Sequence, residues 1–143
     1  MLDLPRSPWR RLALLLLAAN FVAAGVMHFV NPEFFVRIMP PYLPWHLELV
    51  YLSGFFEILG GLAVLWPATR SAAGWGLIAL MIAVYPANIY MAMNPEQFPD
   101  VPAWAGLVRL PFQFVFMAWA WWATRPEPAP APRSATRPDP AVR

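Results

Sequence analysis

The sequence predicts an all-α protein: an integral membrane four-helix bundle with a short interfacial helix between the first and second spans. Three observations predict it. Hydrophobic residues make up 59% of the chain and charged residues 13%, against about 45–50% and ~25% in an average soluble domain. A soluble domain of 143 residues could not cover that much apolar surface with so few charges. The charges also leave long gaps: 12–32 and 71–95 carry none, 49–69 carries only Glu57, and 101–124 only Arg109. Each gap reaches the ~20 residues a helix needs to cross a ~30 Å hydrocarbon layer, where a helix satisfies its own backbone hydrogen bonds. Tryptophans mark the ends of these runs, with Trp9, Trp66, Trp75, Trp121 and Trp122 at one set and Trp45 and Trp104 at the other. Trp favours the headgroup level, where the ring is buried and its N–H stays wet.

In order along the chain, the segment 1–11 is a basic N-terminal stretch. Spans are expected over 12–30, 47–66, 72–93 and 104–123, forming one domain over 12–123. Arg10 and Arg11 before an apolar stretch, then Val22-Ala23-Ala24, give a secretory signal as a rival reading of the first span. The apolar run continues through Val30, too long for a signal core, so the span is expected to stay. In the first connecting loop, Asn31 is placed to cap a short helix starting at Pro32. Its apolar side holds Phe34, Phe35, Ile38 and Met39, and Pro40 and Pro41 end it. Such a helix would lie at the interface, as a lid over a ligand or as a seal for the core. From 124 to 143 the chain is rich in Pro and Ala, which predicts a disordered tail.

All ten basic residues are Arg. Most flank the spans on the side shared by both termini: Arg6, Arg10, Arg11, Arg70, Arg125, Arg133, Arg137 and Arg143. The positive-inside rule places that side, and both termini, in the cytoplasm. Arginines so scattered form no nucleic-acid face. The chain has no cysteine, which excludes disulfides, C-x-x-C redox pairs, thiolate zinc sites and covalent c-type haem.

Polar residues within spans are costly and point to function. Asn20, Ala24 and His28 share one face of the first span, Ser53, Glu57 and Gly61 one face of the second. Tyr85, Asn88 and Ala92 share a face of the third, and Arg109 and Gln113 lie on the fourth. At 1.5 Å per residue, Glu57 lies ~15 Å below the outer end of its span and Arg109 and Asn88 ~7 Å below theirs. The polar groups therefore gather in the outer half of the core. His28, Glu57, Asn88, Arg109 and Gln113 are the candidate ligand- or proton-binding residues. Glu57 and Arg109 admit two readings, a structural ion pair between helices or members of a pocket that holds a polar headgroup or moves a proton. The two histidines, His28 and His46, stand at different depths without metal-ligand spacing, so no metal or haem site is expected. Gly54, Gly60, Gly61, Gly74 and Gly76 are expected to allow close helix contact, and Pro86 and Pro111 to bend the third and fourth spans.

The string Gly25-Val-Met-His28-Phe29-Val-Asn-Pro32, followed by Met39-Pro-Pro41-Tyr-Leu-Pro44, resembles the DoxX-like membrane proteins. So do Ser53-Gly54-Phe-Phe-Glu57-Ile-Leu-Gly60-Gly61, Pro86-Ala-Asn88-Ile-Tyr-Met-Ala92 and Arg109-Leu-Pro111-Phe-Gln113. The resemblance covers about 12–124. It implies a multi-pass protein of the bacterial inner (plasma) membrane, with some relatives linked to membrane redox complexes, and it implies the fold more strongly than an activity. Three functions follow as expectations. The first is a non-catalytic accessory or assembly subunit of a membrane complex, redox- or quinone-linked. The second is binding or transport of a small lipophilic molecule such as a quinone in the outer-half pocket. The third is a membrane enzyme using Glu57 as acid/base. No cofactor is required by the residues, and a quinone is the one the pocket suggests. Partners are expected to be the bilayer and other membrane proteins, with a homo-oligomer left open and nucleic acid excluded.

Overall fold

A computed structural model describes residues 4–127. Helix α1 runs Pro8–Val30, α2 Pro32–Arg37, α3 His46–Ala63, α4 Pro67–Met93 and α5 Ala103–Thr124, with a single 3-10 turn at Pro95–Gln97. There is no strand among the described residues. Four of the helices, α1, α3, α4 and α5, are long and apolar enough to cross a membrane. The Pro/Ala-rich tail expected over 124–143 lies, from residue 128 onward, outside the described residues.

Prolines set the helix starts, and they move several boundaries away from the charge-free runs. Pro8, Pro32 and Pro67 each begin a helix, where the missing N–H costs nothing and φ is already helical. α1 therefore starts four residues earlier than the expected 12, and takes Arg10 into its first turns. That charge is tolerated because it is met: Nε of Arg10 donates to the Ala123 carbonyl at 3.3 Å, and the guanidinium lies 3.6 Å from Glu127. α3 stops at Ala63 rather than 66, because Trp66 precedes Pro67 and is held extended at φ −92°, ψ 130°, as a residue before proline must be. Arg70, in the first turn of α4, reaches back to the Val64 and Leu65 carbonyls at 3.0 and 3.2 Å and so satisfies acceptors beyond the end of α3. Pro86 and Pro111 lie inside α4 and α5, and both helices run through them. Asn31, expected to cap α2 through its side chain, makes no such bond; Pro32 at the first position begins the helix without it.

The bundle consists of two close pairs. α1 packs along α3 and α4 along α5, while the seams between α3 and α4 and between α1 and α5 are looser. Glycine makes the first pair close. A Cβ on Gly25 would stand 2.6 Å from the Gly54 carbonyl oxygen, and one on Gly54 would stand 2.6 Å from the His28 Cβ. The backbones touch there, which no other residue would permit.

The two ends of the bundle differ. At the end where the described residues begin and stop, Leu14, Leu17, Val64, Leu77, Ala120 and Ala123 form an apolar core. At the other end, Ile38, Ala87, Met91 and Phe98 form a smaller cluster, to which α2 adds Phe34 and Phe35. Phe98, from the link between α4 and α5, is only 1% exposed. Outward-facing positions such as Leu12, Leu16, Phe55, Leu59, Ile82 and Phe112 are exposed, an apolar girdle larger than a soluble surface carries.

Candidate functional site

Each of three helices carries a polar side chain one turn beyond a glycine at which it crosses a neighbour. On α1 the pair is Gly25 and His28, on α3 Gly54 and Glu57, and on α5 Gly106 and Arg109. A Cβ on Gly106 would lie 3.1 Å from the Ala92 Cα of α4, and Asn88 sits one turn before Ala92. A crossing point holds two backbones at a set separation, so side chains one turn away meet in the core at a set distance. His28 Nδ1 lies 3.4 Å from Glu57 Oε2. His28 Nδ1 also lies 2.9 Å from the Ala24 carbonyl oxygen, and in the tautomer that donates there the proton is directed away from the carboxylate. Glu57 is 9% exposed, and its Oε2 accepts no hydrogen bond.

On the other pair, Asn88 Nδ2 donates to Gln113 Oε1 at 2.5 Å, and Gln113 Nε2 donates to the Met81 carbonyl. Both amides are buried and locked together. The Arg109 guanidinium, among the described residues, makes no hydrogen bond and no ion pair within 4.0 Å. The ion pair expected between Glu57 and Arg109 is therefore absent as a direct contact, and the close partner of Glu57 is His28. The physical reason is the order of the bundle. α1 touches α3 along its length, whereas α3 and α5 stand diagonally across from each other.

Two cavities open on this cluster from opposite seams. The first, about 370 Å³, lies between α3 and α4 beneath the α2 loop. Phe35, Ile38, Met39 and Leu43 close it from above, and His28, Ser53, Glu57, Asn88 and Arg109 are its polar groups. The second, about 380 Å³, lies between α1 and α5, reaches Asn20 and Gln113, and shares Glu57, Asn88 and Arg109 with the first. Volumes of this order fit a small organic ligand. The α2 segment thus stands over a cavity through Phe35 and also packs Phe34 and Phe35 on the apolar cluster of that end, so both roles open to it from sequence stay open. Phe35 also stacks on the His28 ring, with centroids 3.7 Å apart.

The five candidate residues therefore fall into two groups. His28, Glu57, Asn88 and Arg109 line the lidded cavity, while Gln113 braces Asn88 and faces the second. Asn20 and Ala24, which share a helix face with His28, line the second cavity instead. His46 lies apart at the first position of α3, its Nε2 3.1 Å from the Pro40 carbonyl oxygen. Sequence reasoning missed Phe35 as a contact of His28, and missed Gly25 as the crossing point. The repeated spacing of a glycine followed three residues later by His, Glu or Arg would have pointed to both crossings and cluster. Gly76, expected to serve helix contact, does not: a Cβ there would meet nothing within 4 Å. Chemically, a carboxylate beside an imidazole can pass a proton, and a guanidinium without a partner can bind an oxygen acceptor. Among the described residues, no three His, Cys, Asp or Glu side chains are grouped to hold a metal.

The fold and site define an all-helical protein with four potential membrane spans and a polar cluster between them. The chain belongs to the family described as a domain of unknown function (DUF8561), whose model matches residues 17–124. That range takes in all of the polar cluster. No curated protein and no solved structure gives a match.

Proposed function

We propose that this is a binding protein for a small lipophilic molecule with a polar head, of which a quinone or quinol is the type, held inside a bacterial plasma membrane. One observation carries the reading. An apolar cavity of about 370 Å³ has a polar wall on which Glu57 Oε2 lacks a donor and the Arg109 guanidinium lacks an acceptor. A buried carboxylate oxygen without a partner costs free energy, Arg109 is exposed at the cavity wall, and a headgroup with an oxygen acceptor and an O–H donor would engage both. The arginines near the ends of α1, α4 and α5 favour a cytoplasmic position for both termini, so the α2 lid would face the opposite side. Resemblance to the DoxX-like proteins supports a membrane setting linked to quinones.

The same resemblance favours a second reading, an accessory subunit of a membrane redox complex. Native mass spectrometry of the detergent-purified protein, with extraction of its lipids, separates the two. A stoichiometric lipophilic ligand that is lost in Glu57→Gln and Asn88→Ala is the expected result. Co-purifying protein subunits with no such ligand would favour the accessory role and end the ligand reading.

A further inference from the structure

We propose that the seam between α3 and α4 is a groove for the hydrocarbon chain of a single-chain amphiphile whose polar head occupies the lidded cavity. The inference rests on the head-binding reading above and specifies the class of ligand: long-chain lipids rather than headgroups alone. Below the lidded cavity, the seam holds a second, almost wholly apolar space of about 630 Å³, with Gly60, Ala72 and Gly76 among its walls. The two spaces adjoin along the seam, with Phe56, Leu80 and Ala83 lining both. Glu57, nine-tenths buried and with Oε2 lacking a donor, marks the polar end.

The length of the groove suits a chain. From Ala83 to Thr69 along α4 it extends ~21 Å at 1.5 Å per residue. One leaflet of a ~30 Å hydrocarbon layer is ~15 Å deep, so a chain anchored at Glu57 would follow the groove to the far boundary. Gly76 is the notch in its wall. A Cβ on any of the other six glycines would meet neighbouring atoms, whereas at Gly76 the space is open. The missing side chain therefore serves no contact within the bundle, and it leaves room beside α4 where a chain can lie. A site built this way selects at both ends, by hydrogen bonding at the head and by length at the tail.

The test uses the purified full-length protein in detergent, titrated calorimetrically with decylubiquinone and with the same dimethoxymethylbenzoquinone ring lacking the chain. The chain is expected to tighten binding by about tenfold or more. Gly76→Leu should remove that gain while leaving affinity for the bare ring within about twofold. Glu57→Gln should weaken both compounds. Leu is a better helix former than Gly and its Cβ meets no atom within 4 Å at this position, so the variant is expected to keep its unfolding temperature. Chain-dependent tightening that survives Gly76→Leu overturns the groove and leaves the head-binding reading in place. Binding of the decyl compound that is lost in Gly76→Leu but indifferent to Glu57→Gln keeps the groove and overturns the head-binding reading. Absence of binding by either compound overturns both. A change of oligomeric state in Gly76→Leu by light scattering, without chain-dependent binding, makes the seam a face for another helix and overturns the groove.

Discussion

The terminal half of the bundle and the lidded half are made from the same four long helices, yet they are built to different ends. In the terminal half Leu14 and Leu17 are fully buried, Val64, Leu77 and Ala120 close around them, and the α3–α4 groove passes only the Leu77 side of that core. In the lidded half the same helices carry His28, Glu57, Asn88 and Arg109 around hollow space. The difference teaches where cohesion resides. Within lipid, helices hold together by close packing rather than by escape from water, so the faces packed around Leu14 and Leu17 supply stability, and the lidded space and the α3–α4 seam are left to hold a ligand.

The largest expected effect comes from opening a hole in the packed half. Leu17→Ala should cost roughly 2–5 kcal/mol, read as a lower midpoint in chaotrope unfolding of the detergent-solubilised protein. A loss as small as that of a surface substitution would erase the contrast between the halves. Next, Gly54→Val places carbon against the Gly25 carbonyl and should cost about 1–3 kcal/mol. Because His28 and Glu57 lie one turn from that crossing, ligand binding should fall with it; unaltered binding would show that the crossing does not position the site. Glu57→Gln sharpens the comparison from the other side. A neutral amide is cheaper to bury than a carboxylate without a donor, so stability should stay level or rise by up to ~1 kcal/mol while the ligand is lost. A markedly less stable variant would make Glu57 part of the scaffold. The smallest effect belongs to Gly76→Leu, expected within about ±0.5 kcal/mol of the parent by the same unfolding assay.

The four long apolar helices were legible because charge in a membrane helix is so costly that its absence is a boundary signal in itself. Helix ends were less legible. Pro8 and Pro67 begin their helices outside the charge-free runs, and a burial-based reading weighs arginine at position 10 or 70 as a stop when each is in fact satisfied by carbonyls. Four of the five candidate residues line one cavity, since a polar side chain in a span has few places to go. The partner of Glu57 was not legible. Face and depth put Arg109 within reach, but which helices adjoin depends on where glycines let backbones touch, and Gly25 against Gly54 decided for His28. Phe35 was hidden for a similar reason, as an aromatic on a short loop helix carries no periodic signal that would direct it onto a histidine.

The arginine ties at the terminal end have a mechanical consequence. Arg10 fastens α1 to the carbonyl of Ala123 and to Glu127, and Arg70 fastens the start of α4 to the end of α3. The loose seams are thus tied by hydrogen bonds at one extremity, whereas at the other the pairs meet through apolar packing of Ile38 on Ala87 and Met91 and through Arg37 over the Phe98 ring. Two stiff pairs joined in this way should have one softer coordinate, an angle that opens at the lid like a pair of tongs. Spin labels at Leu47 and Met93 should accordingly report a wider spread of distances than labels at Leu62 and Trp75. Admission to the cavity would then be governed by the mouth of the tongs, with the pivot unmoved.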